Sequence, residues 1–164
     1  DDRPQLNEFS ISDGEIFLDA TIHKSDDPMC CPTFKTARHY RLANNQLDMT
    51  DYITFTPDGR QRTITIESPT HGSEVFGSVP IKGNVAIAPF ENNLVYHIYD
   101  LGGVELAIGS ITVTTAALGA PGTFDQNILL GNILSGVVIR IEVQDISAED
   151  GSLIAMDSVE LVVK

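Results

Sequence analysis

Hydrophobic and polar residues alternate along most of this chain. Across residues 136–145, Val137, Ile139, Ile141 and Val143 share one face, while Arg140, Glu142 and Gln144 share the other. That period of two is the pattern of a half-buried strand. The chain ends the same way, with Val159, Leu161 and Val163 pointing in and Glu160 and Lys164 pointing out. Further strands are predicted over 63–67, 79–87, 94–100, 105–114 and 123–130. Turn chemistry separates them: Ser68-Pro69-Thr70-His71-Gly72, Glu91-Asn92-Asn93, Gly102-Gly103, Gly119-Ala120-Pro121-Gly122 and Glu149-Asp150-Gly151. Short strands broken at such regular intervals predict a two-sheet β-sandwich. Residues 110–118 are the least decided, but the β-branched run Ile111, Thr112, Val113, Thr114 and Thr115 favours strand over helix.

The N-terminal part reads as a separate β unit. Residues 15–23 alternate Ile16, Leu18, Ala20 and Ile22 against Glu15, Phe17, Asp19 and Thr21. Residues 35–42 form a second strand ending at Asn44-Asn45, and the loop 24–34 between them holds Asp26, Asp27, Pro28 and a cysteine pair. An isolated hairpin is marginal in water. This one must pack against the rest of the chain or recruit strands from 6–12 and 51–55. Its basic residues Lys35, Arg38 and Arg41 are expected to blunt a free edge. Thr56-Pro57-Asp58-Gly59-Arg60 is a turn and marks the boundary. The expected organisation is a small β-hairpin unit over 1–58 followed by an all-β, two-sheet sandwich over 63–164.

Composition narrows the function classes. With 10 basic and 23 acidic residues in 164, the net charge is −13, and a phosphate backbone would repel such a chain. Nucleic acid is therefore excluded as a partner. No apolar run approaches the ~18 residues of a transmembrane helix. Residues 1–62 carry 7 basic and 11 acidic side chains, and residues 63–164 carry 3 and 12, so the acid is concentrated in the second part. The chain opens Asp1-Asp2-Arg3-Pro4, without the basic stretch and apolar run of a signal peptide. A mature chain would open the same way, so this leaves the compartment undecided.

The two cysteines are adjacent, Cys30-Cys31. They can close an eight-membered vicinal disulfide ring, remain two thiols, or bond a partner outside this chain. Metal ligation would want CxxC spacing and further ligands, and neither is present. The surrounding Asp27, Pro28, Met29 and Pro32 make this the candidate interaction loop.

The order of these segments carries two resemblances. Ile64-Thr65-Ile66-Glu67-Ser68-Pro69 leads into a turn, then Val79-Pro80-Ile81-Lys82-Gly83, Phe90-Glu91, Val95-Tyr96-His97-Ile98-Tyr99-Asp100, Gly122-Thr123-Phe124, Val137–Val143 and Asp150-Gly151 follow. In that order, residues 63–164 resemble the immunoglobulin-like domain associated with bacterial spore germination proteins. Asp27-Pro28-Met29-Cys30-Cys31-Pro32-Thr33, with Thr36, Arg38, Tyr40 and Arg41 after it, resembles a segment of the LppP/LprE-like bacterial lipoproteins. The second resemblance implies a secreted or lipid-anchored envelope protein, whose signal or anchor would lie upstream of Asp1. Neither family brings a catalytic motif that maps onto this chain.

Other constellations are weaker. His23 and His39 lie on strands of one predicted hairpin and are able to approach each other near Asp26 and Asp27, but two histidines do not close a metal site. His71 is expected in a solvated turn and His97 on an outward strand face. Residues 145–151 look like a calcium loop but fail the EF-hand template, with Gly151 one place late and Met156 where Glu is required. No GxSxG elbow or HExxH helix occurs, and Gly102-Gly103 precedes a strand, so it cradles no phosphate. The expected function is a non-catalytic binding or structural module of the bacterial envelope, without a cofactor or metal, whose partner is an envelope protein or wall polymer. The alternatives are a cation or small-ligand sensor using the acidic loops, and an enzyme of unknown class.

Overall fold

The computed structural model describes residues 3–24, 26–43 and 45–164. Among them the chain divides into two compact units, one up to Arg62 and one over Thr63–Lys164. Asp1 and Asp2 of the opening and Asn44 of the predicted Asn44-Asn45 turn lie outside the described residues.

The first unit is an antiparallel meander of β1 (Gln5–Ser12), β2 (Glu15–Ile22), β3 (Phe34–Ala43), β4 (Gln46–Phe55) and the short β5 (Gln61–Arg62). The predicted hairpin is its centre, and it has recruited strands on both sides from the two segments the sequence offered. Asp13 and Gly14 turn β1 into β2 with φ of 54° and 82°, the paired positive values of a tight hairpin turn. Thr56 and Gly59 close the next turn, Gly59 N–H donating to Thr56 O at 2.8 Å. The unit continues past Asp58 because Gln61 and Arg62 pair back on β4.

One expectation fails here. β3 is interior, with β2 on one side and β4 on the other, so its basic residues do not guard an edge. Arg38 instead lies over the Tyr52 ring at 5.2 Å. The opposite face of β2 is covered beyond its exposed first residue, Glu15. Thr21 is buried, and Phe17 is half-buried against the His39 ring, with centroids 4.9 Å apart. A neighbouring strand puts its own side chains opposite both residues, which single-strand alternation does not register.

The second unit is a two-sheet sandwich. One sheet orders β11 (Thr114–Thr115), β12 (Gly122–Leu129), β8 (Ser78–Val85) and β6 (Ile64–Ser68); the other orders β14 (Leu153–Val163), β13 (Val138–Ile146), β9 (Asn93–Asp100) and β10 (Glu105–Thr112). The two-residue β7 (Glu74–Val75) runs parallel to β14. The undecided residues 110–118 are strand only to Thr112 and again at Thr114–Thr115. Among the described residues no helix is long and apolar enough to cross a membrane.

The core lies between the sheets. Val79 and Ile81 of β8, Leu94 and Ile98 of β9, Ile139 and Ile141 of β13 and Leu161 of β14 are all at 0% exposure. These are the inward positions of the sequence pattern. Close approach is enforced at Gly83, where an added Cβ would strike the Thr65 carbonyl oxygen and the Phe124 ring. Polar ties also join the sheets. The Ile66 N–H of β6 donates to Asp157 Oδ2 of β14 at 2.6 Å, beside a bulge between Ile66 and Ser68.

The core carries the stability of this unit. Leu161→Ala should lower unfolding free energy by about 2–5 kcal/mol in urea titration, because a fully enclosed leucine leaves a cavity. Leu129→Ala, at a side chain 73% exposed, should change it by about 0.5 kcal/mol or less. Equal losses at the two positions would contradict this placement of the core.

Candidate functional site

The loop between β2 and β3 is organised by Asp27. Its Oδ2 accepts the backbone N–H of Lys24 at 3.0 Å and of Thr33 at 2.8 Å, and its Oδ1 accepts the Thr33 hydroxyl at 2.8 Å. A single carboxylate thus fastens both ends of the loop, as Asp does in side-chain-to-backbone turns. Between these anchors, Cys31 N–H donates to Pro28 O at 2.9 Å. The structure joins Cys30 Sγ to Cys31 Sγ. Pro28, Met29, Cys30 and Cys31 are exposed, Met29 at 74%, whereas Pro32 is half-buried. The sequence placed Asp27 among the interaction residues. In the structure its carboxylate is spent on fastening the loop, and Pro28 to Cys31 form the exposed tip. The Lys24 N–H is the main cause that holds the Asp27 carboxyl below the usual carboxylate range, with the Thr33 donors adding to it and desolvation opposing.

A second polar assembly covers the outer face of β9 and β13. His97 Nδ1 meets Glu105 Oε2 at 2.7 Å, and the His97 and Tyr99 rings stack with centroids 5.7 Å apart. Arg140, opposite Tyr99 in register, lies over that ring at 5.7 Å and pairs with Glu142 at 2.9 Å. Gln144 Nε2 donates to the other Glu142 oxygen at 2.8 Å. Glu142 is buried, and this pairing is what makes a buried charge tolerable. Burial first, then the charges of Glu142 and Glu105, push the Tyr99 hydroxyl above its ordinary pKa. His97 was expected at the surface. It lies on the outward face, but its side chain is only 16% exposed and is partnered.

The remaining candidates do not converge. His23 follows β2 beside the Asp27 loop, whereas His39 pairs with Phe17 in register and meets Asp51 Oδ1 at 3.3 Å, so the hairpin does not bring the two histidines together. Burial raises the Asp51 pKa, and His39 works against that shift. His71 is exposed, with Nε2 4.0 Å from Glu160 Oε2. In the calcium-like segment Asp145 is buried, while Asp150 Oδ1 accepts the Ser152 N–H at 3.1 Å and hydroxyl at 2.8 Å. Gly151 turns the tip at φ 74°. Among the described residues no group of three or more His, Cys, Asp or Glu is placed to hold a metal ion. The Asp27 fastening and the His97–Glu105 pair escaped sequence reading. An Asp immediately before Pro in a loop was the available signal for the first. The second spans a strand pair with a bulge between Glu105 and Ala107 and has no local signature.

The Asp27 fastening has a pH signature. Its folded pKa lies below the unfolded value, so its contribution is present above the unfolded pKa and is lost as pH falls through the folded one. In an acid titration followed by NMR, the Thr33 amide resonance should move with a midpoint below the ~3.9 of a free aspartate. A midpoint at or above that value would remove Asp27 from this role.

Among curated proteins none matches the chain. The profile of Gmad2, described as the immunoglobulin-like domain of bacterial spore germination, matches residues 63–152. That span begins at the first residue of the sandwich unit and ends before β14, the strand that pairs with β13 and completes its sheet. With the sandwich, its inward aliphatic rows and its profile in agreement over more than half the sequence, the chain belongs to the family of the immunoglobulin-like domain of bacterial spore germination.

Proposed function

We propose that this chain is a non-catalytic binding module of a secreted or envelope-held bacterial protein. The observation that carries the reading is the distribution of its chemistry. The sandwich interior is filled by aliphatic side chains, and the distinctive polar and sulfur groups lie on a loop tip and on outer sheet faces. Such a molecule offers surfaces to a partner. Immunoglobulin-like sandwiches are often used this way, an analogy of fold that supports the reading. Envelope location draws its support from the likeness of the Asp27-Pro28-Met29-Cys30-Cys31-Pro32-Thr33 segment to LppP/LprE-like lipoproteins. The spore-germination association comes with the family's description; the role proposed for this chain is recognition of an envelope protein or wall polymer. In an oxidising compartment the Cys30–Cys31 pair is proposed to be a closed ring that stiffens the exposed tip.

Protease added to intact cells of the native bacterium should digest the protein, or the protein should be found in the medium. A thiol reagent applied to that protein after unfolding should leave both cysteines unlabelled until a reductant is added. Protection from protease until the cells are lysed would overturn the envelope reading. Full labelling without reductant would overturn the ring. Co-sedimentation with purified sacculi then separates the two partner classes: retention through moderate salt assigns wall polymer, and recovery in the supernatant assigns protein.

A further inference from the structure

The outer strand β10 has features that neither the loop nor the polar face explains. Among the described residues it pairs with β9 alone, so one of its sides is an open edge. Natural proteins guard such edges with lysine, proline, short strand length or a bulge, and here the bulge lies at the start of the strand, between Glu105 and Ala107. This strand, Glu-Leu-Ala-Ile-Gly-Ser-Ile-Thr, runs eight residues and contains neither lysine nor proline. Its backbone direction is fixed by one bond: Gln126 Nε2 of β12 donates to Ser110 O at 2.8 Å, so the Ser110 carbonyl faces away from β9 and is itself already taken. In an antiparallel strand the N–H and C=O of alternate residues face the same side. The Ile108 N–H and C=O therefore face outward too.

Apolar side chains gather beside this edge. Leu106 and Leu101 are each 40% exposed, Val104 and Ile108 each 59%, Leu129 73% and Leu134 74%. A cleft of about 500 Å³ opens among Leu106, Ala107, Leu129, Ile133 and Leu134, with Asp100 at its margin. Contiguous exposed apolar surface of this kind marks a recognition site. The unit that carries it is predominantly acidic, and its nearest cation, Arg140, is already paired with Glu142. Residues 63–164 hold 12 acidic and 3 basic side chains, and Lys82 is already paired with Asp125 at 2.7 Å. Glu105 sits at the start of the strand with its side chain 45% exposed.

We infer that β10 is a docking edge for an extended peptide segment that alternates apolar and basic residues. Such a segment would add as a further strand, exchanging backbone hydrogen bonds with Ile108 and seating alternate apolar side chains in the cleft. Its basic side chains would face Glu105 and Asp100. A second copy of this chain is the poorer occupant, because each copy carries a charge of −13 and like charges oppose close approach. The inference rests on the reading of the chain as a binding module and names one surface and one partner chemistry for it.

The test uses the full chain and three dye-labelled peptides followed by fluorescence anisotropy. One alternates valine with lysine, one alternates valine with glutamate, and the third is the lysine peptide N-methylated at alternate residues. The lysine peptide should bind at least about tenfold more tightly than either other peptide, a difference set by charge in one case and by backbone hydrogen bonding in the other. Ile108→Pro should weaken it by about tenfold or more, because the lost N–H faces solvent and lies outside the β9 ladder. Leu129→Asp, at a solvent-exposed position, should weaken it similarly and guards against a folding defect in the proline variant. Equal binding of the three peptides would overturn the inference, as would no binding at about 1 mM, the weak limit of recognition. Sedimentation of the chain alone as a dimer that Ile108→Pro dissolves would assign the edge to self-association and overturn it as well. Loss of the edge proposal with the protein still accessible on intact cells leaves the module reading standing; a protein confined inside the cell removes that reading.

Discussion

The second unit depends on one constraint: two sheets must bring their apolar faces together closely enough to exclude water. Strand alternation supplies the faces, and the inward rows of β8, β9, β13 and β14 reach 0% exposure at residue after residue. Each aliphatic side chain enclosed this way contributes on the order of 1.5–3 kcal/mol. Within one sheet, Gly83 of β8 leaves room for the Phe124 ring of β12 and the Thr65 backbone of β6, and an added Cβ there would strike both. Asp157 then fixes how β14 meets β6, by accepting a backbone N–H across the sandwich that a bulge has freed from the ladder.

Because the interior is filled, recognition falls to what remains outside. The outer face of β9 and β13 carries a connected set of charges and rings, in which the buried Glu142 carboxylate takes Arg140 on one oxygen and Gln144 on the other. The β2–β3 loop uses one carboxylate as a clasp, so the exposed Pro28–Cys31 tip sits on a closed frame. The β10 edge adds backbone groups and apolar side chains side by side. These three surfaces differ in chemistry, and each follows from the same division between a dry interior and a wet exterior.

Much of this was legible in the sequence because alternation is a local signal. The period-two rows of 136–145 and 15–23 gave the strands and their inward faces, and Asn, Gly, Pro and Asp clusters gave the breaks. What escaped was whatever needs a second strand to define it. β5 and β7 span two residues each, too few to show a period. Phe17 and Thr21 sit on the face that alternation marks as polar, yet neighbouring strands bring partners there. The His23–His39 proximity failed for a related reason. Hairpin register pairs His39 with Phe17 and leaves His23 past the strand end. The Cys-Cys-Pro loop was conspicuous in sequence, but the residue that orders it, Asp27, reads as one of the presented residues until its three donors are placed.

The central claim, a closed aliphatic core bounded by an open β10 edge, is tested most directly by native-state hydrogen exchange of the full chain. Amides at Ile81, Ile98 and Ile141 belong to strands flanked on both sides, so they should exchange only through global opening of the unit. The Ile108 amide should exchange much faster, through no opening of the sheet. Slow exchange at Ile108, or fast exchange at the three core positions, would contradict the account.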